Sequence, residues 1–143
     1  MKNNTALRVG ALLLLLSLTL LTLFSCKEEP ATGLWADAAY TEDQTFGEGA
    51  KTLTVVVEAE DRTVTFTVHT DAATVGEALL SHGLIDGDEG PYGLYVKKVN
   101  GMTADYDVDQ SYWSFLIGEE TAMTGVDMTE ITEGTEYRLV YTK

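Results

Sequence analysis

The sequence predicts an α+β fold, a mixed sheet with one helix packed on it, and three observations predict it. Leu53, Val55 and Val57, and then Val64, Phe66 and Val68, recur at every second residue, the period of a half-buried strand. Thr74-Val75-Gly76-Glu77, a capping-box sequence, follows them and opens a short helix. Two aromatic-rich runs, Ser111 to Ile117 and Tyr137 to Thr142, supply later strands.

The chain starts with an address. Met1 to Arg8 carries Lys2 and Arg8 and no acid, and Val9 to Phe24 is almost wholly apolar. That is the pattern of a secretory signal. The run is shorter than the roughly 20 apolar residues of a membrane-spanning helix. Leu23-Phe24-Ser25-Cys26 resembles the bacterial lipobox. The resemblance implies cleavage between Ser25 and Cys26, lipidation of Cys26, and anchoring on the extracytoplasmic face of a bacterial membrane. Residues 1–25 are then signal peptide, 26–50 the lipidated Cys and a flexible tether, and 51–143 the folded domain. In the tether Trp35 and Tyr40 have no periodic support.

Within the domain the expected elements follow in order. The two alternating runs form a hairpin turned at Asp61-Arg62. The next element is a nine-residue helix whose stripe is Val75, Ala78 and Leu79, with Leu80 at its margin and Gly83 ending it. Leu84 to Gly90 reads as a Gly/Asp loop, and Leu94 to Val99 as a third strand ending at the Asn100-Gly101 turn. The last strand follows the Glu133-Gly134 turn. Hairpin, helix and further strands is the order of a β-grasp.

Composition narrows the function. The 143 residues hold 23 Asp plus Glu against 9 Lys plus Arg, a formal net charge of -14. A chain so acidic does not displace the counterions of a phosphate backbone, so nucleic acid is excluded as a partner. One Cys excludes a disulfide framework and any multi-thiolate metal site. No nucleophile elbow, phosphate loop or paired-histidine zinc motif occurs. His69 falls on a polar strand face and His82 at a helix end, and Ser81 beside it faces a different direction. The expectation is a protein that is not an enzyme and requires no cofactor. Asp105, Asp107 and Asp109 recur as the first three ligands of a calcium loop do, although Gln110 and Leu116 occupy its glycine and glutamate positions. They are a candidate calcium site, and Asp86, Asp88 and Glu89 form a second acidic loop.

The aromatic residues gather around the third and fourth strands: Tyr92, Tyr95, Tyr106, Tyr112 and Trp113. Strand alternation sends Tyr112 and Trp113 to opposite faces, so one is exposed. Pattern alone leaves a binding surface and a thin core both open.

Two segments resemble the small C-terminal β-domain of the vitamin B12 carriers of the transcobalamin kind. They are Tyr92-Gly93-Leu94-Tyr95-Val96, leading into Val99-Asn100-Gly101, and Tyr112-Trp113-Ser114-Phe115-Leu116-Ile117-Gly118. The likeness runs from Leu53 to Tyr141. It implies a β-grasp domain whose ligand surface is Tyr92, Gly93, Leu94, Tyr95 and Val96 with Trp113, Ser114, Phe115, Leu116, Ile117 and Gly118, continuing to Ala122. It implies a corrinoid such as cobalamin as ligand. The carriers close their pocket with a large helical barrel, of which these 143 residues hold no counterpart. The resemblance therefore also implies a transporter or surface protein completing the pocket. A cell-surface interaction or adhesion module is the alternative, and calcium binding the third option.

Overall fold

The computed structural model describes residues 30–143; the signal segment and the lipidation expected at Cys26 lie outside them. Among the described residues nine strands form two sheets. The larger is mixed, with strand order β1-β3-β2-β9-β7-β8, and the smaller is β4-β5-β6.

Strand β2 (Lys51–Ala59) and strand β3 (Arg62–Thr70) are the alternating runs. Their inward positions, Leu53, Val55, Val57, Val64, Phe66 and Val68, are buried. Period-2 alternation puts all six on one sheet face. The turn falls one residue earlier than expected. Arg62 pairs with Ala59, and Glu60 takes the left-handed φ of 55°. Strand β9 (Glu136–Thr142) then runs parallel to β2, with Val55 opposite Tyr137 and Val57 opposite Leu139. Strand β7 (Tyr112–Ile117) flanks β9 on its other side, and β8 (Glu120–Thr121) folds back on β7.

Helix α1 (Val75–Ser81) covers the inner face, with Val75, Ala78 and Leu79 buried and Leu80 exposed. It has seven residues rather than nine. The Glu77 amide donates to Thr74 Oγ1 at 3.2 Å, the capping bond the sequence predicts. The return bond is displaced: Glu77 Oε2 accepts from the Ala73 amide, at 3.0 Å, instead of the Thr74 amide.

Leu84 to Gly90 is not a loop. Strand β4 (Ile85–Gly90) pairs with β5 (Gly93–Val99), with a bulge at Asp86/Gly87. A two-residue strand β6 (Met102–Thr103) follows the Asn100-Gly101 turn, where φ of 51° and 81° is what a tight hairpin loop of this kind needs. β4 escapes sequence reading because Ile85 is its only apolar residue.

The largest correction concerns the tether. Residues 31–143 form one compact unit. Gly33–Asp37 is a 3-10 helix, and its Trp35 is 1% exposed, inside the core. Trp35 Nε1 donates to the Ala59 carbonyl at 2.8 Å, and the Arg62 guanidinium lies 5.0 Å from the indole centroid. Strand β1 (Gln44–Phe46) adds to the sheet parallel to β3. Tyr40, Phe46 and Phe66 meet edge to face, with centroids 5.3 to 5.9 Å apart. The segment up to Ala50 is thus an arm of the domain.

Candidate functional site

The two segments singled out in the sequence lie in different sheets, yet β5 and β7 pack against one another. Their side chains divide sharply. Tyr92, in the two-residue tip of the β4–β5 hairpin, is 89% exposed. Tyr95 is exposed, and Gly93, Leu94 and Val96 are half-buried. On β7 the alternation resolves with Tyr112 outward and Trp113 inward, at 7% exposure. Trp113 meets Tyr141 edge-on at 5.6 Å, while Phe115 stacks on Tyr137 at 6.2 Å. Trp113 is therefore a core ring and offers no free face to a planar ligand. Ser114, Phe115, Leu116 and Gly118 are half-buried, and Ile117 is exposed.

The hairpin tip stands beside a residue group that sequence reading missed. The Tyr92 carbonyl lies close to Gly125, at the start of a 3-10 helix, Val126–Met128, that touches β5. Met128 is exposed, and so is Met123, at 97%. Methionines presented to solvent make a soft, adaptable contact surface. Neither is periodic with anything in the sequence, so no pattern marks them.

A groove of about 400 Å³ opens on the side of Tyr95, between Asp88 and Glu89 of β4 and Asp105, Tyr106 and Asp107. Lys97 lies within it, 2.8 Å from the Asp88 carboxylate and 5.9 Å from the Tyr95 ring centroid. The hydrogen bond to Asp88, and then its charge, hold the Lys97 ammonium above its ordinary pKa.

The three aspartates expected to bind calcium are placed otherwise. Helix α2 (Tyr106–Asp109) is a single turn, and the Asp105 carboxylate caps it, accepting from the Asp107 amide at 3.0 Å. Asp109 accepts from the Ser111 hydroxyl and amide and from Lys143 Nζ at 3.0 Å. Among the described residues no three Asp, Glu, His or Cys side chains converge as a metal would require. Helical winding turns the three carboxylates apart, whereas a calcium loop would turn them inward.

The Ser111 hydroxyl, followed by Lys143, lowers the Asp109 pKa to about 2 from 3.8. A carboxyl depressed in the folded state contributes stability above its unfolded pKa and loses it as pH falls through the folded one. The Asp109 contribution should therefore be intact above 3.8 and vanish as pH falls through about 2. Carboxyl NMR titration should place its midpoint near 2, and Ser111→Ala should move the midpoint toward 3.8. An unmoved midpoint would show that Ser111 is not the cause.

The comparisons with known proteins come from sequence and from structure. A family model described as a domain of unknown function, DUF4430, matches residues 72–143. It starts after β1, β2 and β3. A candidate metal-binding protein from Ruminococcus gnavus ATCC 29149, solved at 1.30 Å, shares 36% identity and a TM-score of 0.62, covering 66% of this chain and 98% of that one. Haptocorrin, solved in complex with cobinamide, is 20% identical with a TM-score of 0.50, covering 68% of this chain and 26% of its own. At that identity the likeness is one of fold, and this chain spans about a quarter of haptocorrin. A search of the curated proteins returns no match. The family match over the C-terminal half and the 36% identity to the R. gnavus protein together make this chain a member of the DUF4430 family.

Proposed function

We propose that this protein is a non-catalytic, lipid-anchored binding domain on the extracytoplasmic face of a bacterial membrane, held there through Cys26. Its ligand surface is the β4–β5 hairpin tip with the exposed residues of β7, the strand packed against β5. One observation carries the reading. On a strongly acidic domain, Tyr92, Tyr95 and Ile117 are exposed on the two segments that pack together, and Met123 and Met128 are exposed in the stretch of chain that reaches the tip. Exposed apolar groups gathered into one patch mark an interaction site.

The ligand favoured is a large planar organic molecule of the corrinoid kind. Supporting it are the resemblance of both segments to the B12 carriers and the fold likeness to cobinamide-bound haptocorrin. The surface supplies half of a pocket. Halving the buried ligand area weakens affinity while the cost of association stays. A transporter or surface protein supplying the other face completes the site. The buried Trp113 adjusts this reading: stacking falls to Tyr92 and Tyr95.

Titration of the purified protein with cobinamide and cobalamin, followed by corrin absorbance, tests the proposal. We expect weak saturable binding that Tyr92→Ala lowers by about tenfold, the effect of losing one aromatic contact of about 1.4 kcal/mol. An unchanged spectrum at millimolar ligand, alone and with the candidate partner, would sink the corrinoid reading. A protein-interaction module using the same surface is the second reading. The acid-and-tyrosine groove favours it, since such a groove suits the basic side chains of a partner. A cation role is compatible with either and agrees with the description of the R. gnavus relative.

A further inference from the structure

The small sheet leaves one strand uncovered. β4 is its outer strand, paired with β5 on one side only. Asp86, Asp88, Glu89 and Gly90 are all exposed on it. An outer strand carries a row of main-chain N–H and C=O groups that no neighbour uses, and extended peptides are often captured by adding to such an edge. Here the edge is acidic. A second copy of β4 would bring like charges together, so the edge repels self-pairing and admits a strand of opposite charge.

The groove beside this edge has the same preference. Its walls carry four carboxylates, Asp88 and Glu89 from β4 and Asp105 and Asp107 from the cap and first turn of α2, against the ammonium of Lys97. The hydrogen bond to Asp88 and the Asp88 charge do most to raise the Lys97 pKa, and the charges of Asp105 and Asp107 add to it. Both walls thus act on one cation. Lys97 shows how a cation is received, with a carboxylate 2.8 Å from Nζ and the Tyr95 ring centroid 5.9 Å away. Three carboxylates remain once Asp88 has matched Lys97, and Tyr106 adds a second exposed ring. A smaller cavity of about 150 Å³, reaching Asp86, Lys98 and Thr103, shares Asp88 and Lys97 with the groove. The two adjoin at that ion pair, and together offer the reach of a chain segment rather than of one small cation.

We propose that β4 takes an extended, arginine-bearing segment of a partner protein, paired along its outer edge with a guanidinium set in the groove. Arginine is favoured over lysine because its planar group stacks on tyrosine and binds carboxylates through two parallel hydrogen bonds. The proposal gives the interaction reading above its partner's chemistry and rests on it.

The probe is a capped six-residue peptide of alternating arginine and threonine, followed by amide NMR and hydrogen exchange on the purified protein at physiological salt. Expected are saturable shifts at Glu89, Tyr95, Tyr106 and Asp107, with exchange in β4 slowed by about fivefold or more. The peptide with glutamate in place of arginine should cause neither. Glu89→Gln with Asp107→Asn, at two exposed carboxylates, should weaken binding by about fivefold. Glu119→Gln with Glu120→Gln removes as much charge from residues that line neither cavity. That pair should stay within about twofold of the parent, because distant charges are screened. Equal weakening by both pairs overturns the proposal, since net charge alone would then be acting. An absence of shifts at millimolar peptide overturns it too. Shifts at the groove with unchanged exchange in β4 overturn it in favour of a small organic cation. Binding that Tyr92→Ala abolishes and the groove pair leaves intact overturns it while the interaction reading stands.

Discussion

Trp35→Ala is expected to destabilise the domain by about 3–5 kcal/mol, the cost of emptying a fully buried aromatic site. The indole is 1% exposed and donates to the Ala59 carbonyl at 2.8 Å, so truncation leaves both a cavity and a buried acceptor without its donor. Arg62 also loses the ring over which it lies. Trp35→Phe should fall between the two, restoring volume and not the hydrogen bond. Urea denaturation followed by circular dichroism measures the difference. A mobile tether would give a change within about 0.5 kcal/mol, as surface substitutions do. The arm also grips the Asn100 turn: Asn100 exchanges bonds with Tyr40 at 2.7 and 2.9 Å, and its carbonyl accepts from the Ala39 amide. Because Asn100 directly follows β5, loss of the arm should loosen the strand carrying Tyr95.

Gly76→Ala is the second large effect, and here two principles oppose each other. Within a helix Ala is favoured over Gly by about 1 kcal/mol. Gly76, however, is buried against the 3-10 helix, and a Cβ there would lie 2.7 Å from the Asp127 Cα and N. Those are backbone atoms and cannot rotate away, so α1 and the 3-10 helix must part. Overpacking of this kind costs about 1–3 kcal/mol and wins over propensity. A lower melting temperature is expected. A rise in melting temperature would mean that the two elements are not locked together.

The parts of the fold legible in the sequence are those with a local signature. β2 and β3 show themselves because one face is apolar and the other is not, which imposes period 2 on nine residues each. Thr74 and Glu77 announce α1, and Asn100-Gly101 announces its turn, because each meets a backbone need that few residue types satisfy. Trp35 carried no such mark: a single side chain filling a hole made by distant strands has no period. β4 was hidden by its position at a sheet edge, where Asp86, Asp88 and Glu89 face water and only Ile85 is buried. For the site, alternation told that Tyr112 and Trp113 part company, and only tertiary packing told which goes inward. The Asp105-x-Asp-x-Asp spacing suggested a loop, and a single helical turn used it instead.

The place of β9 in the sheet has a consequence for how the molecule forms. The last strand in the chain lies between β2 and β7, and its parallel pairing with β2 sets Glu58 opposite Val140. No earlier part of the chain can stand in for it. The core face of β2 and β3 stays open at that side until Glu136–Thr142 has been made and has closed a loop spanning most of the domain. Contacts so far apart in sequence put such a protein among the slower folders, on the millisecond-to-second scale. The segment matched by the family model, residues 72–143, holds β9 and not β2. Expressed alone it would present β9 with one edge bare, a template for pairing with other chains.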